Sequence, residues 1–463
     1  MSHLNNDLQN LEEIINQVSQ QGLDYLNAIN NRSTCAQSKT EMVNDLDIEG
    51  LGTVETLKEF NQRFEPTIVA SSGPRYWGFV TGGTTPASIA GDWLATVYDQ
   101  NTQTAKGNGD VSAAIELETI KLLCSLFNLP DSFFGGFVTG ATLSNFTSLA
   151  VARQWIGRLH GKDFAREGIS GSVKVLSATP HSSAVKSLAM LGLGSDNVIQ
   201  IEVAEGNREA IDILDLEQKI IALNGQPFIL ISSAGTVNTV DFDDFKAIHN
   251  LKEKYNFWWH IDAAFGGFAA CSPKYAHLLN SWEFADSITV DCHKWLNVPY
   301  ESAVFLIRNE HQLLQMETFQ NSNAAYLGNP LENFNYLNFL PENSRRLKAL
   351  PAWFTLKSYG KSGYQQIVEQ NVEQAIYFSS FINENAAFKL LAPIRLNTVC
   401  FTLTNDEKIA EFLNTLNESG KVFMTATVYK GKKGIRAAFV NWRTTVADID
   451  LVTSEMNKIL AKL

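Results

Sequence analysis

The strongest constraint in this sequence is a rhythm. From about residue 135, apolar runs rich in β-branched and aromatic residues alternate with stretches of helical periodicity. The runs are Phe137–Val138, Val173–Leu176, Val198–Val203, Phe228–Ile231, Phe257–Ile261, Ser287–Val290 and Ala303–Ile307, with helices expected over Ser144–Leu159 and after His181. Strand alternating with helix predicts right-handed crossovers. The expected class is therefore α/β, a mostly parallel, doubly wound seven-stranded sheet with helices on both faces.

The flanks read differently. Leu4, Leu8, Leu11, Ile15 and Val18 recur at helical spacing and predict an amphipathic N-terminal helix. Its apolar stripe needs a cover, for which a second subunit is a candidate. The stretch SSGPRYWGFVTGGTTP, residues 71–86, reads as an irregular connection, and Val111–Leu126 as helix. Residues 312–345 break the rhythm with Asn and aromatics and read as a long loop, a class that is often functional. From Pro351 a helical region leads to strands Val399–Leu403, Val422–Val428 and Ile435–Phe439, then a helix from Val446. Three units are expected: a helical arm over 1–75 making dimer contacts, a large domain over 76–350, and a small α+β domain over 351–463.

Composition narrows the function. The 463 residues are 45% hydrophobic and 19% charged, as in soluble globular proteins. A net charge of −12 argues against nucleic-acid or acidic-membrane partners. No apolar run approaches the ~20 residues of a membrane span. The polar, acidic start shows no secretory signal. Cys35, Cys124, Cys271, Cys292 and Cys400 are scattered, with no C-x-x-C, which suits a reducing cytoplasm. No histidine pair at i, i+4 with a third ligand suggests a metal.

Chemistry gathers just after the strands. His181 follows the second run, in A-T-P-H-S-S. Thr236 follows the fourth, and Asp262 the fifth, in H-I-D-A-A-F-G-G. Asp291, His293 and Lys294 follow the sixth, in D-C-H-K-W. Ligands bind at the carboxyl ends of strands in open parallel sheets. Each residue alone has a structural reading: a helix start, a turn, an ion pair. Together they converge on one crevice. Gly140-Ala141-Thr142 opens a helix after the first run, where backbone N–H groups can hold an anion.

An amine, a carboxylate, a flat ring and an anion cradle match what pyridoxal 5′-phosphate needs. Lys294 can form a Schiff base with its aldehyde, once deprotonated. A carboxylate beside the ring nitrogen is worth about 4 kcal/mol at an effective dielectric near 20, or about three pKa units. Two rival motif readings are weaker. Ser183–Lys186 is S-x-x-K and Ser195–Asn197 is S-D-N, but the K-T-G of β-lactamases is absent. Gly192-Leu193-Gly194 lacks the third glycine of a dinucleotide fingerprint.

From about residue 70 onward the chain resembles the group II pyridoxal-phosphate-dependent amino-acid decarboxylases, which include the aromatic L-amino-acid, histidine and glutamate enzymes. The carriers are R-Y-W-G-F and T-T-P-A-S near 75–88, E-L-E-T at 116–119, T-G-A-T-L-S-N at 139–145, P-H-S-S at 180–183, H-I-D-A-A-F-G-G at 260–267, D-C-H-K-W at 291–295, S-R-R-L-K-A-L at 344–350 and F-V-N-W-R-T-T at 439–445. The resemblance implies the aspartate-aminotransferase-like type I fold, in a homodimer with a shared active site. It implies that Lys294 holds the cofactor, Asp262 faces its ring nitrogen, Ala264 packs on the ring and His181 stacks over it. Ala141, Thr142 and His293 would hold the phosphate, and Thr236 and Asp291 would line the cleft. Tyr326 would be the loop proton donor, with Tyr336 a rival. Tyr76, Phe79, Val80 and the Asp99–Gln103 segment would wall the substrate pocket. Ser71 stands where the animal aromatic enzymes carry a tryptophan. The expected reaction is decarboxylation of an L-amino acid, aromatic in the first instance, with an acidic or diamino acid open. An aldehyde synthase, a carbon–carbon lyase of the same fold and a regulatory pseudo-enzyme are the alternatives.

Overall fold

The computed structural model describes residues 2–36, 44–104, 111–320 and 334–463. At its centre are seven strands: β1 (Phe133–Val138), β2 (Lys174–Ser177), β3 (Val198–Gln200), β4 (Phe228–Ser233), β5 (Phe257–Asp262), β6 (Ser287–Asp291) and β7 (Ala303–Arg308). Their spatial order is β1-β7-β6-β5-β4-β2-β3. Strands β2 to β6 pair in parallel, whereas β7 runs antiparallel to both β6 and β1. Connection length explains the exception. Only residues 292–302 join β6 to β7, and a helical crossover takes about a dozen residues or more.

Both faces of the sheet are covered, which is why its strands read as near-continuous apolar runs. Ile229 and Ile231 of β4, with Phe305 and Ile307 of β7, pack under helices Ala141–Leu159 and Ser182–Met190. Leu230, Val304 and Leu306 point the other way, onto helices Ser112–Leu126, Ile213–Ala222 and Phe245–Lys254 and the start of Ala349–Glu384. Alternate residues thus serve opposite faces, as the pleat requires.

A second, antiparallel sheet follows: β8 (Phe388–Leu390), β9 (Thr398–Leu403), β10 (Thr425–Tyr429) and β11 (Lys432–Ala438), in the order β10-β11-β9-β8. Helix Val446–Leu460 starts where expected because Thr445 and Asp448 form a reciprocal capping box. The expected loop over 312–345 holds an unforeseen helix, Gln312–Phe319.

The stretch 71–86 is irregular, as expected, but it is a strap, not a loose connection. Trp77 is buried; its N–H donates to the Phe423 carbonyl (2.9 Å) and its carbonyl accepts from Ala438 N (2.9 Å). Arg75 donates to the Lys421 carbonyl and to Asp448, both at 2.8 Å. Helices His3–Gln9, Leu11–Ala28 and Thr53–Arg63 contain no buried residue, and Leu4, Leu8, Leu11, Ile15 and Val18 are exposed.

Candidate active site

The carboxyl ends of β1, β2, β4, β5 and β6 meet at one edge of the large sheet. Asp262 is the last residue of β5 and Asp291 the last of β6. His181 caps the helix after β2 and accepts from Ser183 N (3.3 Å). Glu116 and Arg345 pin the end of β1. Phe137 N donates to Glu116 Oε1 (2.7 Å), and Arg345 donates to Glu116 (2.6 Å) and to the Phe137 carbonyl (2.8 Å). Four residues beyond Phe137, helix Ala141–Leu159 begins.

Across this edge lies a cavity of about 580 Å³ whose walls include Phe79, Val80, His181, Thr236, Asp262, Ala264 and Lys294. Lys294 Nζ lies 2.8 Å from Asp291 Oδ2 and 5.7 Å from the centre of the Phe265 ring. Asp262 accepts from Ala264 N (3.2 Å) and from Asn145 Nδ2 (3.1 Å). Thr236 gives its hydroxyl proton to Glu209 (2.6 Å), so towards the cavity it can only accept. His181 keeps one side open to solvent, yet loss of water around the ring pushes its pKa below the ordinary imidazole value, against the pull of Asp262. Gly82 closes the strap over the lysine turn. A Cβ there would stand 1.6 Å from the Lys294 carbonyl oxygen, so only glycine fits.

Several expected residues sit beside the cavity and not in its wall. Ala141 is buried at the start of its helix, where the first N–H groups have no intrahelical acceptor. Thr142 follows it, half-buried. A Cβ on Gly140 would lie 3.5 Å from His293 Cε1, so this helix start and His293 adjoin. His293 stacks on Tyr300 (4.3 Å between centroids) and accepts from Ser302 N (3.2 Å). Burial pushes the His293 pKa down, with Asp291 opposing. Tyr326 lies outside the described residues. Tyr336 is a core residue: it is buried, donates to the Gly135 carbonyl (3.2 Å) and lies under the Arg345 guanidinium. Tyr76 stacks on Phe423 instead of lining the cavity, and residues 99–103 do not line it within one chain.

Two groups were missed. Arg436, on β11, lines the cavity with its Nε buried and without a hydrogen-bond partner; desolvation lowers its pKa. A charge between Ile435 and Ala437 in a strand was the available signal. Asn145 is fully buried and bonds Asp262, Ser183 (3.2 Å) and His260 (2.8 Å). It closes the quoted T-G-A-T-L-S-N stretch, one helical turn past Ala141.

This donor set fits pyridoxal phosphate. It offers an amine and a carboxylate on one cavity wall, and beside them a glycine-opened helix start with unpaired N–H groups. The fold and the site define an enzyme of the pyridoxal-phosphate-dependent class. The chain belongs to the pyridoxal-dependent decarboxylase family, whose conserved domain matches residues 37–404. It is an amino-acid decarboxylase by that membership, with pyridoxal phosphate as cofactor. An aromatic-L-amino-acid decarboxylase of Bacillus atrophaeus is 28% identical over 440 residues, which span 92% of this chain and 88% of that protein. Tryptophan decarboxylase 2 of Oryza sativa is 26% identical, over 88% of this chain and 85% of its own length. In three dimensions, Oryza sativa TDC with pyridoxal phosphate and tryptamine superposes with a TM-score of 0.89 at 21% identity, over 98% of both chains. Rhodiola rosea 4-hydroxyphenylacetaldehyde synthase shares the fold at a TM-score of 0.87 and 20% identity, over 99% of both chains.

Proposed function

We propose that this decarboxylase acts on an aromatic L-amino acid, with Lys294, His181 and Tyr326 as its catalytic residues. The observation that carries the reading is that Lys294 and Asp262 stand on the wall of one cavity with His181. Bound pyridoxal phosphate supplies a protonated ring that takes up the electron pair left when the carboxyl group departs. Lys294 holds the cofactor through Nζ, which must first give up its proton. Asp262 keeps a proton on the ring nitrogen. Ala264 would pack on the ring, Thr236 would line the cleft around it, and Asp291, buried outside the cavity wall, holds Lys294 Nζ at 2.8 Å. Ala141, Thr142 and His293 hold the phosphate at the helix start. His181 would cover the ring, and the half-buried Arg436, whose Nε is without a partner, would offer its guanidinium to the substrate carboxylate. Phe79, Val80 and Phe265 give the cavity apolar walls, and the names of the aromatic-amino-acid relatives support the same substrate class.

The test is a panel of L-amino acids with amine and carbon dioxide detected together. Lys294→Ala should lose turnover by at least about a thousandfold while the fold persists; near-wild-type decarboxylation would refute the assignment. Tyr326→Phe in the same assay should keep cofactor binding and lose amine. An aldehyde synthase remains the second reading, favoured by the Rhodiola neighbour, and aldehyde with ammonia in place of amine would establish it.

The exposed stripe of Leu4, Leu8, Leu11, Ile15 and Val18 supports a homodimer built through the N-terminal arm. Sedimentation at micromolar concentration should give twice the chain mass of 51.4 kDa. A monomer there would end that part. Five unpaired cysteines support a cytoplasmic location, to be read by cell fractionation. No described helix is long and apolar enough to cross a membrane.

A further inference from the structure

Asn145 makes a contact set that fixes protons elsewhere. Its side chain is fully buried in helix Ala141–Leu159. Nδ2 has two hydrogens, one aimed at Asp262 Oδ2 (3.1 Å) and one at Ser183 Oγ (3.2 Å), while Oδ1 meets His260 Nε2 (2.8 Å). The amide can sit only this way round, because a flipped Asn145 would set its oxygen against the Asp262 carboxylate.

Two consequences propagate from that orientation. Ser183 N points at His181 Nδ1 (3.3 Å), which makes that ring nitrogen an acceptor, and Ser183 Oγ, with one lone pair taken by Asn145, gives its own proton to the same nitrogen at 2.7 Å. Nδ1 of His181 is therefore an acceptor, and a neutral ring carries its proton on Nε2. On the other side, His260 must donate from Nε2 to Asn145. Its Nδ1 then accepts from Ser287 Oγ (2.8 Å), which accepts in turn from Trp258 Nε1 (2.9 Å). Burial drives the His260 pKa down to about 4, and loss of water around the ring lowers that of His181 despite its open side.

We propose that Asn145 is a positioning residue that couples the two groups flanking the ring site: through one amide it holds Asp262 as an acceptor and sets His181 to present an Nε2–H. The inference rests on the reading of Asp262 and His181 given above. Asn145 itself lines no part of the cavity, so it acts through its partners. The arrangement runs Trp258, Ser287, His260, Asn145, then branches to Asp262 and to Ser183 and His181. Every hydrogen bond in it has one direction.

The experiment reads ring protons directly. The full-length chain is labelled with ¹⁵N at its histidines, of which there are 8, and the His181 resonances are assigned by their loss in His181→Gln. In the cofactor-free chain, wild type should show His181 as the Nε2–H tautomer. Asn145→Leu should move it to a mixture or to Nδ1–H. With cofactor bound, the variant should lose at least tenfold in kcat with a smaller change in KM. A wild-type His181 in the Nδ1–H form overturns the proposal, and this measurement needs no variant. An unchanged tautomer in Asn145→Leu, or in Asn145→Ser should the leucine variant not fold, overturns it as well. Should His181→Gln turn over normally while the tautomer shift is seen, the site reading fails and the role of Asn145 in setting the proton stands.

Discussion

Glu116→Ala offers a severe test of how the site is supported. Glu116 and Arg345 are 0% and 1% exposed at their side chains, so solvent does not screen their pairing. Removing one partner of such a pair costs about 3–5 kcal/mol, because the other charge is left buried and alone. Phe137 N loses its acceptor in the same step, and an orphaned buried N–H costs about 1–3 kcal/mol. The terms overlap, so the expected loss is about 4 kcal/mol or more, against a total stability of about 5–15 kcal/mol. Urea titration of the cofactor-free chain, followed by tryptophan fluorescence, would read it as a fall in midpoint at constant slope. The control is Glu116→Leu with Arg345→Met. Glu116 Oε2 and Arg345 Nε and Nη1 are buried without partners, so the pair is only half satisfied. The double variant should therefore be more stable than either single one, since no charge is stranded. A single-variant loss below about 1 kcal/mol, or a double-variant loss equal to the sum of the two, would refute the reasoning.

Two further predictions concern the same edge of the sheet. His260 has a folded pKa of about 4 set by burial, against about 6.5 unfolded. As pH falls from 6.5 to 4 the unfolded chain takes up a proton that the folded chain refuses, so this residue costs about 3 kcal/mol of stability over that window. His260→Gln should lack that slope, and parallel stability curves for the two proteins would count against it. Asp291→Asn removes the carboxylate 2.8 Å from Lys294 Nζ; trace acetylation of Lys294 in the cofactor-free chain, read by mass spectrometry against surface lysines, should rise several-fold, and unchanged labelling would show that the pair exerts no hold.

The large sheet was legible because its strands are buried on both faces and stand out as apolar runs such as Phe228–Ile231 and Ala303–Ile307. The residues at their ends followed from the rule that parallel sheets bind ligands there: His181, Thr236, Asp262 and Lys294 do reach one cavity. What stayed hidden depends on contacts far apart in sequence. The partners of Asn145 lie 38, 115 and 117 residues away, and no local pattern marks them. Arg436 reaches the cavity from the other sheet. The antiparallel β7 was foreshadowed only by the short link before it. Tyr336 and Tyr326 read alike in the sequence; burial places the first in the core.

The strap of residues 71–86 carries a cost in time. Its hydrogen bonds to Lys421, just ahead of β10, and to Asp448 on the last helix span 346 and 373 residues of chain. Closing a loop of that size sacrifices about 5 kcal/mol of chain entropy before any contact rewards it. Trp77 and Arg75 can lock in place only once the C-terminal segments that hold them are present, and topologies dominated by such distant meetings assemble slowly. Gly82 lies five residues past Trp77 on the same strap, so the roof over the lysine turn is tied to the far end of the chain.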